Sequence, residues 1–158
     1  LTGFLSRYGL LERIEQEIAR TKRFRNVFTL TVLTIRPLGS QPGVSASDYQ
    51  SMCLADAAAQ LKKTVRTVDI AARFSEQRLA VLMVQTGAQA ANRALVRFLL
   101  QIKPSEGLAY RVSGSITAYQ GESAEDLMLR AEHDARTKVV INKDNTRKYH
   151  FSLDDQQV

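Results

Sequence analysis

The chain has 158 residues, 44% hydrophobic and 24% charged, with a formal charge of +6 at pH 7 and a single cysteine. That length fits one domain with one substantial core, and the composition is that of a soluble globular protein. No apolar run approaches the roughly 20 residues a membrane helix needs, and one cysteine excludes an internal disulfide.

From Tyr8 to Lys22, Leu10, Leu11, Ile14 and Ile18 share one helical face while Glu12, Glu15, Glu17 and Arg20 occupy much of the rest, which predicts an amphipathic helix. Phe28 to Ile35 is β-branched and mostly apolar, a central strand. Arg36 to Asp48, with Pro37, Gly39, Pro42 and Gly43, reads as a loop. A second helix follows over Tyr49 to Val65, and Cys53 within it is read as inert packing. Asp69 to Phe74 and Leu79 to Val84 form a hairpin around a polar turn. Ala88 to Gln101 is a third helix and Tyr110 to Tyr119 a further strand. Ser123, with Asp126 at the third helical position, opens the last long helix as a capping box, running to about Lys138. Val139 to Phe151 supplies a final strand pair. The order α-β-α-β-β-α-β-α-β predicts an α/β (α+β) fold: a mixed, mainly antiparallel sheet flanked by helices. Residues 1–150 are read as the domain and 151–158 as a linker to a following one. Starting at Leu1, the sequence is expected to be excised from a longer protein.

The positive charge concentrates in Lys22-Arg23-Phe24-Arg25, Lys62-Lys63 and Arg147-Lys148, each at an expected element end. Cations there favour the helix dipole, so a nucleic-acid stripe is not indicated, while a small anionic ligand such as a dinucleotide suits the excess. Tyr49, Tyr110, Tyr119 and Tyr149 form no stacking platform for single strands. His133 and His150 lack a second ligand at metal spacing and are read as surface or helix-end residues.

Three segments carry a family resemblance. Leu1-Thr2-Gly3-Phe4-Leu5-Ser6-Arg7 resembles an L-T-G-L-x-N-R opening. Arg73 to Met83 (R-F-S-E-Q-R-L-A-V-L-M) resembles A-R-Y-G-G-D-E-F-A-V-L-L, and Ala131 to Lys138 resembles A-D-x-A-L-Y-x-A-K. Together they resemble the GGDEF domain of bacterial diguanylate cyclases, over nearly the whole chain. The resemblance implies the nucleotide-cyclase-like fold of that family and a role in cyclic di-GMP signalling, whose outputs include motility and biofilm formation.

The same resemblance implies that the chemistry has been erased. The family's two metal-binding acids fall at Thr34 and Arg78, and its turn glycines at Ser75 and Glu76, with Gln77 next. Magnesium requires hard anionic oxygens, which neither Thr34 nor Arg78 supplies. Guanine-reading residues fall at Pro42 and Ser51, which cannot accept as a carboxylate does. The S-I-G signature has become Ser113-Gly114-Ser115. Lys138 matches a phosphate-contacting lysine, while the arginine expected four residues later is Asn142, with Arg147 as the alternative if Asn142 to Thr146 form an insertion. No cyclase activity, metal or cofactor is therefore expected. Arg66-Thr67-Val68-Asp69 lies in the register of the family's R-x-x-D inhibitory site, with Arg93 and Arg97 as supporting arginines, so cyclic di-GMP is the expected ligand. The alternative is a solvated ion pair and the wet side of a helix. The expected setting is cytoplasmic, without membrane contact, beside an EAL-type or sensor domain and in contact with a second copy. Open alternatives are a ligand-independent interaction platform and a GTP-binding regulator without turnover.

Overall fold

The computed structural model describes residues 3–142 and 149–151. Phe28–Pro37 (β1) lies at the heart of the sheet because all eight residues from Phe28 to Ile35 are buried. The helices and strands run Arg7–Phe24 (α1), β1, Ala46–Lys62 (α2), Ile70–Ser75 (β2), Arg78–Val84 (β3), Ala88–Gln101 (α3), Tyr110–Ala118 (β4), Ala124–Thr137 (α4), Val140–Asn142 (β5) and Tyr149–Phe151 (β6). The strands form one sheet of order β2-β3-β1-β4-β5-β6. Every named pair is antiparallel, and a single bridge between Leu5 and Ala72 supplies the parallel component.

Alternation along β1 divides the core. Leu33 and Ile35 pack with α2 and α3, through Leu54, Leu61, Leu95 and Phe98. Phe28, Leu30 and Val32 face the opposite way, against Leu10 and Ile14 of α1 and Leu127 and Ala131 of α4. Two layers of helices thus sandwich the sheet, as the predicted fold class requires. Cys53 is buried in the α2 face.

Several boundaries differ from the sequence reading for identifiable reasons. The loop predicted from Arg36 to Asp48 is shortened at both ends. β1 continues through Pro37, pairing Arg36 with Arg111 and Pro37 with Tyr110. The Ile35 N–H donates toward the β3 side, to the Gln77 carbonyl. By parity Pro37 also turns its nitrogen to that side, beyond the start of β3, so the missing N–H costs no ladder bond. α2 begins at Ala46 because Ser45 caps it, accepting from the Asp48 N–H at 3.0 Å, and it ends at Lys62. Asp69 precedes β2 rather than belonging to it. Glu17, expected on the wet face of α1, is buried, since Leu10, Ile14 and Glu17 follow the i, i+4, i+7 stripe that faces the core. At α4 the Ser123 hydroxyl accepts from the Asp126 N–H at 3.1 Å, the Ser half of the expected capping box. Arg147 and Lys148 lie outside the described residues.

Asp56 fastens the approach to β4. Its carboxylate accepts from Tyr110 Oη at 2.7 Å, from Ser105 Oγ at 2.5 Å and N at 3.1 Å, and from Gln60 Nε2 at 3.0 Å. Burial alone would raise its pKa, but these bonds, led by Ser105, hold it below the usual 3.8. A depressed folded-state pKa contributes stability that is complete above 3.8 and disappears as pH falls through the lower value. We therefore expect Asp56→Asn to lower stability by about 2 kcal/mol at pH 7, where charged hydrogen bonds are lost. The gap between variant and wild type should narrow below pH 4 in urea titrations; a gap independent of pH would contradict this.

Candidate functional site

The β2–β3 hairpin closes more tightly than its sequence suggests. Ser75 pairs with Arg78, leaving only Glu76 and Gln77 in the turn, and the register shifts between Arg73 and Ser75. The Gln77 carbonyl accepts from Ile35 N at 2.8 Å, so the turn docks on the end of β1. In this register Thr34 stands directly opposite Arg78 on one side and Ser113 on the other. Arg78 Nε donates to Thr34 Oγ1 at 3.0 Å. The two positions that the resemblance assigns to metal-binding acids are therefore neighbours, and they are occupied by a hydrogen-bonded hydroxyl and guanidinium.

Around this pair lies a pocket of about 360 Å³ lined by Thr34, Arg36, Arg78, Arg111, Ser113 and Arg136, with Ala135, Val139 and Ile141 as its apolar wall. Burial lowers the Arg78 pKa; Glu132 opposes the shift, while Arg136 and Arg36 add to it. Glu132 is the nearby acid, at 3.8 Å from Arg136 and 3.7 Å from Arg7. No carboxylate lines the pocket among the described residues. The donor set does not fit a magnesium ion: it offers hydroxyls, one already bonded to Arg78, and four guanidinium groups. Among the described residues no group of three or more His, Cys, Asp or Glu is placed to hold a metal.

The R-x-x-D residues lie at the other end of β3. Arg66 Nε and Nη2 donate to the two Asp69 carboxylate oxygens at 2.8 and 2.9 Å, and Nη2 also reaches Thr86 Oγ1 at 2.9 Å. Asp69 Oδ1 further accepts from the Val84 N–H at 3.2 Å, and its side chain is 1% exposed. Arg66 is 49% exposed and its Nη1 has no hydrogen-bond partner among the described residues. The arginine is accessible and the carboxylate is spent on internal bonds. Its pairing with Asp69, opposed by burial, raises the Arg66 pKa. Arg93 and Arg97 are exposed on α3. Arg97 lines a separate hollow with Gln60, Lys63, Thr64 and Gln101, and its guanidinium lies 5.6 Å from the Phe98 ring centroid. No bond among the described residues joins either arginine to Arg66 or Asp69. Lys138 is exposed just beyond α4, 3.9 Å from Asp134. Pro42 and Ser51 are exposed, and neither lines the Arg78 pocket.

Sequence reasoning missed Arg36, Arg111 and Arg136 as companions of Arg78. One signal was available: Arg36 is two residues beyond Thr34, so a strand continuing through Pro37 puts both on one face.

A family model described as "Diguanylate cyclase, GGDEF domain" matches residues 1–139, and the chain belongs to that family. It is 30% identical, over 158 aligned residues and 89% of its length, to the diguanylate cyclase DgcP of Pseudomonas aeruginosa, of which it spans 23%. Among solved structures, it is similar to the FimX GGDEF domain from Pseudomonas aeruginosa, with a TM-score of 0.70 and 21% identity, covering 85% of this chain and 88% of that one. It is also similar to the GGDEF domain of DgcB from Caulobacter crescentus in complex with c-di-GMP, with a TM-score of 0.65 and 14% identity, covering 84% and 81%. At these identities the structural likeness establishes the fold.

Proposed function

We propose that this domain is a catalytically inactive GGDEF module that regulates cyclic di-GMP signalling. The observation that carries the reading is the Arg78–Thr34 hydrogen bond, which places a cation where catalysis would need carboxylates. Joining two GTP molecules requires divalent metal to neutralise phosphates and activate a hydroxyl, and this pocket repels such an ion. The working unit is residues 1–150, with 151–158 leading to an EAL-type or sensor domain in a cytoplasmic protein, and with a second copy as a further contact. The domain would act by shape and docking rather than turnover. No described helix is long and apolar enough to cross a membrane.

In the receptor form of this reading, Arg66 contributes its free Nη1 edge to cyclic di-GMP, with Arg93 and Arg97 supporting and Asp69 reading the guanine. Asp69 would first have to exchange its internal bonds for those of the ligand. Titration calorimetry with cyclic di-GMP is expected to give saturable heat with wild type and at least a tenfold weaker affinity with Arg66→Ala, which removes a charge-assisted fork. Absence of heat from both proteins would dismiss the receptor form. The buried Asp69 carboxylate favours a second form, a ligand-independent interaction platform in which Arg66 and Asp69 simply pin the start of β2 to the end of β3. In that form partner capture is unchanged by nucleotide.

A further inference from the structure

The register between β1 and β4 sets Arg36 directly opposite Arg111. Like charges facing each other across a strand pair destabilise a sheet, and here the pair joins two inner strands. Both residues are exposed, and no side-chain hydrogen bond or ion pair engages either guanidinium among the described residues. Arg78, opposite Thr34, adds a third guanidinium one pleat away on the same face, and Arg136 adds a fourth from α4. Glu132 answers one of these charges, at 3.8 Å from Arg136, while sharing itself with Arg7 at 3.7 Å. A structural role would be served as well by neutral polar residues. The cluster therefore calls for an anion that neutralises several guanidinium groups at once.

We infer that the pocket between β1, β3, β4 and α4 is a metal-independent binding site for an oligophosphate chain, held by Arg36, Arg78, Arg111 and Arg136. Its volume of about 360 Å³ falls in the range of small-molecule sites, about 300–1,000 Å³. Guanidinium groups suit phosphate because two parallel N–H donors match two oxygens, and their fixed charge takes over the neutralisation that a metal would provide. Ser113 and the Ala135, Val139 and Ile141 wall complete one side. No carboxylate or amide side chain lines this pocket among the described residues, so recognition centres on the phosphate chain. The inference stands apart from the cyclic di-GMP reading, because Arg66 and Asp69 lie at the opposite end of β3.

Inorganic tripolyphosphate, titrated in EDTA by calorimetry and followed by thermal melting, tests this. The expected result is saturable binding that raises the melting temperature and weakens steeply with salt. Arg36→Ser with Arg111→Ser should weaken it by about tenfold or more, as two charge-assisted contacts are lost, whereas the exposed α1 variant Arg13→Ser should bind like wild type. Without ligand, the double variant should melt at or above the wild-type temperature, because a like-charge pair has been removed. ATP and GTP should bind within a few-fold of tripolyphosphate. No binding in EDTA would overturn the inference. So would equal loss on Arg13→Ser, which would mean diffuse charge, or GTP binding with tripolyphosphate silent, which would mean base recognition.

Discussion

Supplied with GTP and Mg2+, the protein is expected to form no detectable cyclic di-GMP by chromatography. The physical reason is the sign of the charge in the Arg78 pocket. At about 4 Å and an effective dielectric near 20, two unit charges interact by about 4 kcal/mol, and a divalent ion facing one guanidinium doubles that repulsion. Three further arginines line the same pocket, and no carboxylate does among the described residues. Removing the repulsion alone should not restore turnover. Thr34→Asp with Arg78→Glu is expected to regain Mn2+ affinity and still yield no product, because Pro42 and Ser51 offer no carboxylate to guanine. Wild-type accumulation of cyclic di-GMP would refute the inactive reading directly.

The second large effect concerns Gly114, which stands between Ser113 and Ser115 in the segment that resembles the S-I-G signature. Gly114 is buried on β4, opposite Leu33 of β1 and Val140 of β5. A β-carbon there would collide with Leu95 Cδ1 and lie 3.1 Å from Leu33 Cδ2, two side chains with no exposed surface. Gly114→Val is therefore expected to destabilise the fold by about 3 kcal/mol, at the upper end of overpacking costs. That is a large share of the roughly 5–15 kcal/mol total stability of a domain. It should lower the melting temperature by about 10 °C. A variant melting within about 2 °C of wild type would show that α3 can shift away from β4 freely. The glycine then serves close packing of helix on sheet in this chain.

Much of this architecture is legible in the residues. The buried run Phe28 to Ile35 announces a central strand, and Ala88 to Gln101 matches its helix end to end. What escapes is decided by neighbours distant in sequence. Pro37 reads as a strand breaker, yet its nitrogen faces a place beyond the start of β3. Ser45 reads as loop until its hydroxyl is seen to cap α2. The family resemblance singles out Thr34 and Arg78 together, and their contact depends on antiparallel register. The four-arginine pocket was not legible, because its members come from β1, β3, β4 and α4 and share no motif. Asp56 likewise meets Ser105 and Tyr110 only after α2 and β4 are packed. Arg66 and Asp69 are adjacent as the spacing implied, while the direction of the carboxylate, turned inward to Val84, could not be read from four letters.

Electron paramagnetic resonance of Mn2+ in the presence of a non-hydrolysable GTP analogue most directly tests the proposal that the Arg78 pocket holds no cation. The Arg78–Thr34 contact predicts that no Mn2+ ligated by protein side chains appears: the ion stays in solvent or on nucleotide at every protein concentration. Stoichiometric protein-bound Mn2+ that disappears on Thr34→Val would contradict it.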